Sequence, residues 1–472
     1  MRVPPTPPRT IDLMQKLHER PRRLFEVIQS GIGTQPAGSY LHWDELRHRS
    51  PLPGFNHEEW WLATKLARQS GLRSLPFRDK AARPFTYGTP DPVQALLHEV
   101  DRNAAGHIQI PELVTTPQNR DRHIVRSLME EAITSSQLEG AATTHKVARD
   151  MLQRQRKPRD KSEQMIMNNY HAMQFIRERY KEPLTPEIIL ELQRTLTTDT
   201  LEDPSAAGRW RRPDEDVKVV DDRNNEVLHI PPAADGLPER MQLLCAFAND
   251  RADEPFIHPV VRAILLHFML GYDHPFADGN GRTARALFYW CMAQREYWLI
   301  EFVSISRVIK KSPAQYVRAY LYTETDECDT TYFLLHQLRV LNEAIVDLHA
   351  YLHRKVEALR DAQHLLGQSP ALHQRLNHRQ LALLNHALQH PRFVYKIDRH
   401  QSSHHVTYQT ARTDLLDLVE MGLLEKSTIG RTFIFVPPED LRARLDKLRQ
   451  GPEVPKSSAA SHEGRVDEGA ES

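Results

Sequence analysis

Between His274 and Arg285 the chain reads HPFADGNGRTAR, which brings an imidazole, a carboxylate, two glycines and two guanidiniums into one short stretch. His274, with an ordinary histidine pKa near ~6.5, can accept a proton at neutral pH. Asp278 is the hard oxygen ligand that magnesium takes. Gly279 and Gly281 flank Asn280 and let backbone N–H groups turn inward at the start of a helix, where they point at an anion. Arg282 and Arg285 fall in the first turn of that helix, where cations oppose the helix dipole unless an anion is present. A magnesium-bound polyphosphate explains both arginines. A plain helix-loop-helix turn explains the glycines and the asparagine, but not the His, Asp and paired Arg beside them.

Two apolar helices must hold such a loop. Upstream, HPVVRAILLHFMLGYD places Val261, Ile264, Leu265 and Phe268 at helical spacing and should be buried. Downstream, Ala286, Leu287, Tyr289 and Trp290 mark a second buried helix. Helical patterns dominate from about 120 to 350, broken at 218–232, where KVVDDRNNEVLHIPP reads as two apolar runs around an Asp/Asn turn, a β-hairpin. Residues 1–10 are proline-rich and extended; a helical face begins at Leu13, and HEEWWLATKLARQSG predicts a helix stopping at Ser70-Gly71. Pro76, Pro84, Pro90 and Pro92 make 74–95 read as a linker. Toward the C-terminus, VTYQTARTDLLDLVEMGLL gives a helix with Thr407 as N-cap and Leu415, Leu416, Val419 and Leu423 inward, followed by two β-branched runs around Gly430. That order predicts a winged helix-turn-helix. Tyr408, Gln409 and Arg412 stand where a recognition helix reads bases, while Asp414, Asp417 and Glu420 on the same helix oppose phosphate.

HPFADGNGRTAR resembles the signature of the Fic (Fido) family, HPFx(D/E)GNGRxxR, at every specified position. The hairpin and the stretch SISRVIKKSPAQYVRAY are also similar to that family, so the resemblance covers roughly residues 100–350. It implies a mainly α fold: a helical Fic core with a short β-hairpin flap, joined here to the C-terminal winged helix-turn-helix domain. It also implies transfer of AMP from ATP to a Ser, Thr or Tyr hydroxyl of a protein. On that resemblance His274 is the base that deprotonates the attacking hydroxyl, and Phe276 anchors the loop in the core. Asp278 binds the Mg²⁺ that accompanies ATP, and Asn280 with the Gly279 and Gly281 backbone cradles the phosphates. Arg282 holds the pyrophosphate side, Arg285 the γ-phosphate, and Gly281 favours AMP transfer over phosphate transfer. Tyr316 lies on the nucleotide side, although Ser312 stands where relatives often carry an adenine-contacting Asn. The flap edge at Val217, Lys218, Val219 and Val220 would align a target segment by strand addition.

Residues 134–140, TSSQLEG, contain Ser135-x-x-x-Glu139-Gly140, similar to the inhibitory motif (S/T)xxxE(G/N) of self-restrained Fic proteins. The resemblance implies that Glu139 pairs with Arg285 and takes the guanidinium that the γ-phosphate needs. The expected organisation is an N-terminal helical region and linker over 1–95 and a Fic core over 96–350. Within that core lie an inhibitory helix at about 122–142 and the flap at 217–230. A linker at 351–372, the winged helix-turn-helix at 373–440 and a disordered tail at 441–472 complete the chain.

Equal numbers of basic and acidic residues, 62 each, exclude a wholesale polyanion binder and leave room only for a local basic face. Cys245, Cys291 and Cys328 are too dispersed for a disulfide scaffold or a cysteine zinc site, which fits a reducing cytoplasm. No apolar run approaches the ~18 residues of a membrane span, and MRVPPTPPRT lacks a secretion signal's apolar core. His57-Glu58-Glu59-Trp60-Trp61 departs from HExxH at Trp61, and His400, His404 and His405 read as solvated. The expectation is a self-inhibited adenylyltransferase using ATP and Mg²⁺ on a protein target or on itself. The alternative is a DNA-binding regulator whose Fic core senses nucleotide. DNA and a second copy of the chain are the further partners considered.

Overall fold

Apolar residues recur on every side of residues 259–273, and in the computed structural model this segment is helix Pro259–Asp273, buried all round. The structure describes residues 2–105, 117–221, 223–249, 255–367, 370–390, 393–429 and 432–450. They divide into one unit over 1–350 and a second over 351–472. Pro259 starts the central helix where its missing N–H costs nothing. The motif helix, Asn280–Gln294, packs against it. Helices Lys161–Arg179, Pro186–Thr197, Leu237–Asn249 and Pro117–Leu138 contribute to the surrounding bundle. The fold is mainly α, and no described helix is long and apolar enough to cross a membrane. Cys245, Cys291 and Cys328 are all buried and unbonded to one another.

Residues 74–95, expected as a linker, instead fold. Strands Leu72–Arg78 and Pro84–Gly88 pair antiparallel, and helix Asp91–Val100 follows. The prolines are where such elements tolerate them: Pro76 at a register shift of a two-stranded sheet, Pro84 at a strand start, Pro92 at a helix start. Phe77 and Phe85 on this hairpin are core residues.

The flap is strands Val219–Asp221 and Glu226–His229, with a register shift between Val219 and Val220. Asn225 takes a positive φ of 53° in the turn, and its N–H closes it on Asp221 O at 2.8 Å. His229 anchors the second strand, donating from Nε2 to Tyr272 O at 2.7 Å while Nδ1 faces the Glu324 carboxylate at 2.7 Å.

In the second unit, helices His378–Gln389, Ile397–His404 and Tyr408–Glu420 precede the antiparallel pair Glu425–Ile429 and Thr432–Val436. Thr407 caps the third helix, accepting from Thr410 N at 3.2 Å. Asp414, read in the sequence as a charge opposing phosphate, turns inward: it is buried and held by Arg379 at 2.7 Å. Residues 351–367 continue helix Thr331–Gly367, since nothing before Gly367 breaks a run of good helix formers. The expected tail begins with helix Leu441–Gln450, whose Leu441 and Leu445 join the unit's core. Gly430 and residues 451–472 lie outside the described residues.

Candidate active site

The central helix ends in a left-handed residue, His274 at φ 45°. Its Nδ1 lies 3.1 Å from Gly271 O, a carbonyl that can only accept, so Nδ1 carries the proton and the Nε2 lone pair is left free. Burial pushes the imidazole down to about 4. A neutral ring is therefore the resting form throughout the neutral pH range. Gly271 lets helix Pro313–Thr325 come close, because a Cβ there would sit 2.3 Å from the Tyr320 hydroxyl oxygen.

Beyond His274, the loop is closed by side chains turned onto its own backbone. Asn280 donates to Phe276 O at 2.8 Å and accepts from Phe276 N at 2.9 Å. Phe276 itself is fully buried and stacks on Trp210 at 5.2 Å. Gln193 binds Asp278 O at 3.1 Å and Gly208 N at 2.6 Å, tying the loop to the segment that leads into the flap. Gly279 has φ 86°, and a Cβ on it would meet Thr197 Cγ2 at 2.9 Å. Left-handed geometry alone costs a side-chain-bearing residue about 1–2 kcal/mol. Gly279→Ala should therefore lower the urea midpoint of unfolding by at least that equivalent; an unchanged midpoint would contradict this geometry.

Asp278 is half exposed, and only its Oδ1 is engaged, by Gly279 N and by Arg282 at 3.3 Å. Oδ2 makes no hydrogen bond among the described residues, which leaves one carboxylate oxygen for a cation. No cluster of three or more His, Cys, Asp or Glu exists among the described residues. A single carboxylate suits Mg²⁺, which is usually held by one or two carboxylates together with substrate phosphates.

The two motif arginines have separate surroundings. Arg282 turns inward to Leu196 O at 2.9 Å, and its Nε has no partner among the described residues. Arg285 faces helix Pro117–Leu138: Nε donates to Ser135 Oγ at 2.9 Å, and Nη2 to Ser135 O at 3.1 Å and to Glu139 Oε1 at 2.8 Å. Burial would raise the Glu139 carboxyl, but the Arg285 guanidinium outweighs it and holds the group below the ordinary carboxylate range. Gly281 makes room for this pair, since a Cβ there would lie 2.2 Å from Glu139 Oε1.

Glu139, Val219, His274, Gly281, Arg285 and Tyr316 line one cavity of about 300 Å³. The Tyr316 hydroxyl is 2.8 Å from His267 Nε2. Phe276, Asp278, Gly279, Asn280 and Arg282 shape the loop behind the cavity rather than its wall. On the flap only Val219 of the four expected residues reaches the lining; Val220 is exposed, and Lys218 pairs with Asp216 at 2.6 Å. Val217 N–H bonds to Glu215 O at 2.8 Å. Gln193, Arg211 and His229 bear on the loop without having been read from the sequence. Apart from the Glu324 carboxylate facing His229, their partners are main-chain carbonyls and N–H groups distant along the chain, which leave no trace in spacing or periodicity.

Residues 183–292 match the model of the Fic/DOC family. A protein adenylyltransferase Fic from Nematostella vectensis is 37% identical over 106 residues, 22% of this chain and 22% of its own length. One of the same name from Drosophila melanogaster is 36% identical over 110 residues, 23% and 19% of the two chains. The chain thus spans about a fifth of the length of the curated relatives it matches. Among solved structures, a Fic family protein from Desulfovibrio desulfuricans superposes with a TM-score of 0.49 at 17% identity, over 74% of this chain and 97% of that one. A Fic-1 fragment from C. elegans gives a TM-score of 0.47 at 17% identity, over 73% and 97%.

Proposed function

We propose, taking the Fic/DOC domain at residues 183–292 as the premise, that this protein transfers AMP from ATP to a hydroxyl of a protein target, another chain or itself, and holds that activity in check. The observation that carries the reading is the cavity in which a neutral His274, the glycine-opened start of the motif helix and Arg285 meet. The target hydroxyl gives its proton to His274 Nε2 as its oxygen attacks the α-phosphorus; the bond to the bridging oxygen breaks and pyrophosphate leaves. Mg²⁺ would neutralise phosphate charge, held by Asp278. Preorganised charge and a positioned base are the usual sources of rate in such a transfer.

Restraint is supported by the Glu139–Arg285 pair. While the carboxylate holds that guanidinium, a γ-phosphate cannot, so a bound triphosphate is left without the contact that would orient it. That the relatives are named protein adenylyltransferases supports the chemistry, and the reading places it in the cytoplasm. The decisive experiment incubates the full chain, and the chain with Glu139→Gly, with ATP and Mg²⁺. Mass spectrometry then looks for an added AMP; its absence from both the chain and a cell lysate would sink the reading.

A second reading, a DNA-binding regulator, is favoured by one observation in the C-terminal unit. Tyr408, Gln409 and Arg412 are exposed at the start of helix Tyr408–Glu420, while Asp414 is turned away and neutralised. If the winged-helix reading is right, full-length protein should shift duplex DNA in a gel, weakening steeply as salt rises. No shift at low salt would remove it.

A further inference from the structure

We propose that Arg211 is a positioning residue for the transfer, holding the backbone of His274 and Pro275 so that the imidazole keeps one orientation. The inference rests on the reading of His274 as the base. A helix leaves its last carbonyls without intrahelical partners, and helix Pro259–Asp273 ends where the loop begins. Arg211 meets the last of them, Asp273 O, and the two carbonyls that follow it. Its Nε donates to His274 O at 2.8 Å, its backbone N–H to Pro275 O at 2.8 Å, and its Nη2 to Asp273 O at 3.4 Å and to Pro232 O. The side chain is buried, and a cation at a helix C-terminus complements the dipole there.

Three features make this more than a cap. His274 is a non-glycine residue in left-handed geometry, a state that persists only when its surroundings over-determine it. Arg211 goes to main-chain carbonyls rather than to the neighbouring Asp273 carboxylate, whose Oδ1 is held by Arg240 at 2.7 Å. Pro232, the fourth carbonyl, lies just beyond the second flap strand, so one guanidinium joins the flap's exit to the base. Arg211 does not line the cavity, and it acts only through His274. Without it the loop has lost the donor that holds the His274 carbonyl, and the ring can swing. A displacement of about 1 Å in a reacting group can cost on the order of 10²-fold in rate.

The test uses the full chain with Glu139→Gly as parent, adding Arg211→Met or Arg211→Lys. AMP transfer gives kcat and KM for ATP, and calorimetry gives Kd for ATP with Mg²⁺. The expected result is a kcat about 100-fold lower for Arg211→Met with KM and Kd within twofold of the parent, and a kcat between the two for Arg211→Lys, which keeps the charge. An unchanged kcat in Arg211→Met overturns the proposal. So does a parallel loss of kcat, nucleotide binding and unfolding midpoint in both variants, which would make the residue a general support of the fold. A parent that binds ATP but transfers no AMP removes the proposed function and this role with it. An active parent whose Arg211 variants are equally active removes the positioning role alone.

Discussion

Replacing Glu139 by glycine is expected to raise AMP incorporation on the order of 10–100-fold at fixed ATP and Mg²⁺, inside the ~5–150-fold that a coupling of 1–3 kcal/mol produces. Glu139 Oε1 lies 2.8 Å from Arg285 Nη2 at the wall of the cavity. Removing the carboxylate frees a guanidinium that is otherwise committed, and in the chain's own terms it exchanges an internal anion for an external one. The size of the effect depends on charge, which makes a graded series informative. Glu139→Gln keeps the side chain's bulk but not its charge and should fall between the parent and Glu139→Gly. Ser135→Ala removes one charge-assisted hydrogen bond, from the Arg285 guanidinium to a neutral hydroxyl, and should raise transfer by less than Glu139→Gly does, because the Glu139 carboxylate stays in place. Equal labelling by parent and Glu139→Gly would show that the pair restrains nothing.

What makes this series possible came from resemblance rather than from spacing alone. The pairing of Glu139 with Arg285 was expected because the stretches carrying them resemble Fic motifs, and the structure brings Glu139 and Ser135 within hydrogen-bonding reach of Arg285. The buried helix before the motif was legible in the residues themselves, since Val261, Ile264, Leu265 and Phe268 repeat at the helical period and all are core. The hairpin at 219–229 announced itself by an Asp/Asn turn between apolar runs.

Other features left no such mark. Asn280, assigned by resemblance to the phosphates, spends its amide on Phe276, a choice settled by loop geometry rather than by residue type. Pro76 and Pro84 looked like breakers because proline is unwelcome in a sheet interior, yet a two-stranded hairpin consists only of edges. Asp414 looked solvent-facing until the helix packed it against Arg379 from 35 residues upstream. Arg211 and His274 are 63 residues apart, and the bond between them runs from a side chain to a carbonyl that every residue type possesses. Contacts of that kind become visible only in three dimensions.

His274→Ala in the Glu139→Gly background should lower AMP transfer by about 10²–10⁴-fold, the range that a positioned general base contributes, with nucleotide binding little changed. The imidazole is the group whose geometry is most tightly prescribed: Nδ1–H is committed to Gly271 O at 3.1 Å, so the free lone pair belongs to Nε2. Its protonation has a definite pH signature. Burial lowers the folded pKa to about 4, so the base form is already full at neutral pH, and acidification removes it only as the pH falls toward that value. The Glu139 carboxylate raises the imidazole pKa, so its removal moves the acid limb lower still. The transfer rate of Glu139→Gly should therefore be level from about pH 8 to pH 5 and decline below, whereas an unperturbed histidine would halve the rate near ~6.5. A decline centred near that ordinary value would mean that the ring is solvated in the working enzyme. Undiminished transfer by the double variant would mean that the proton leaves by another route.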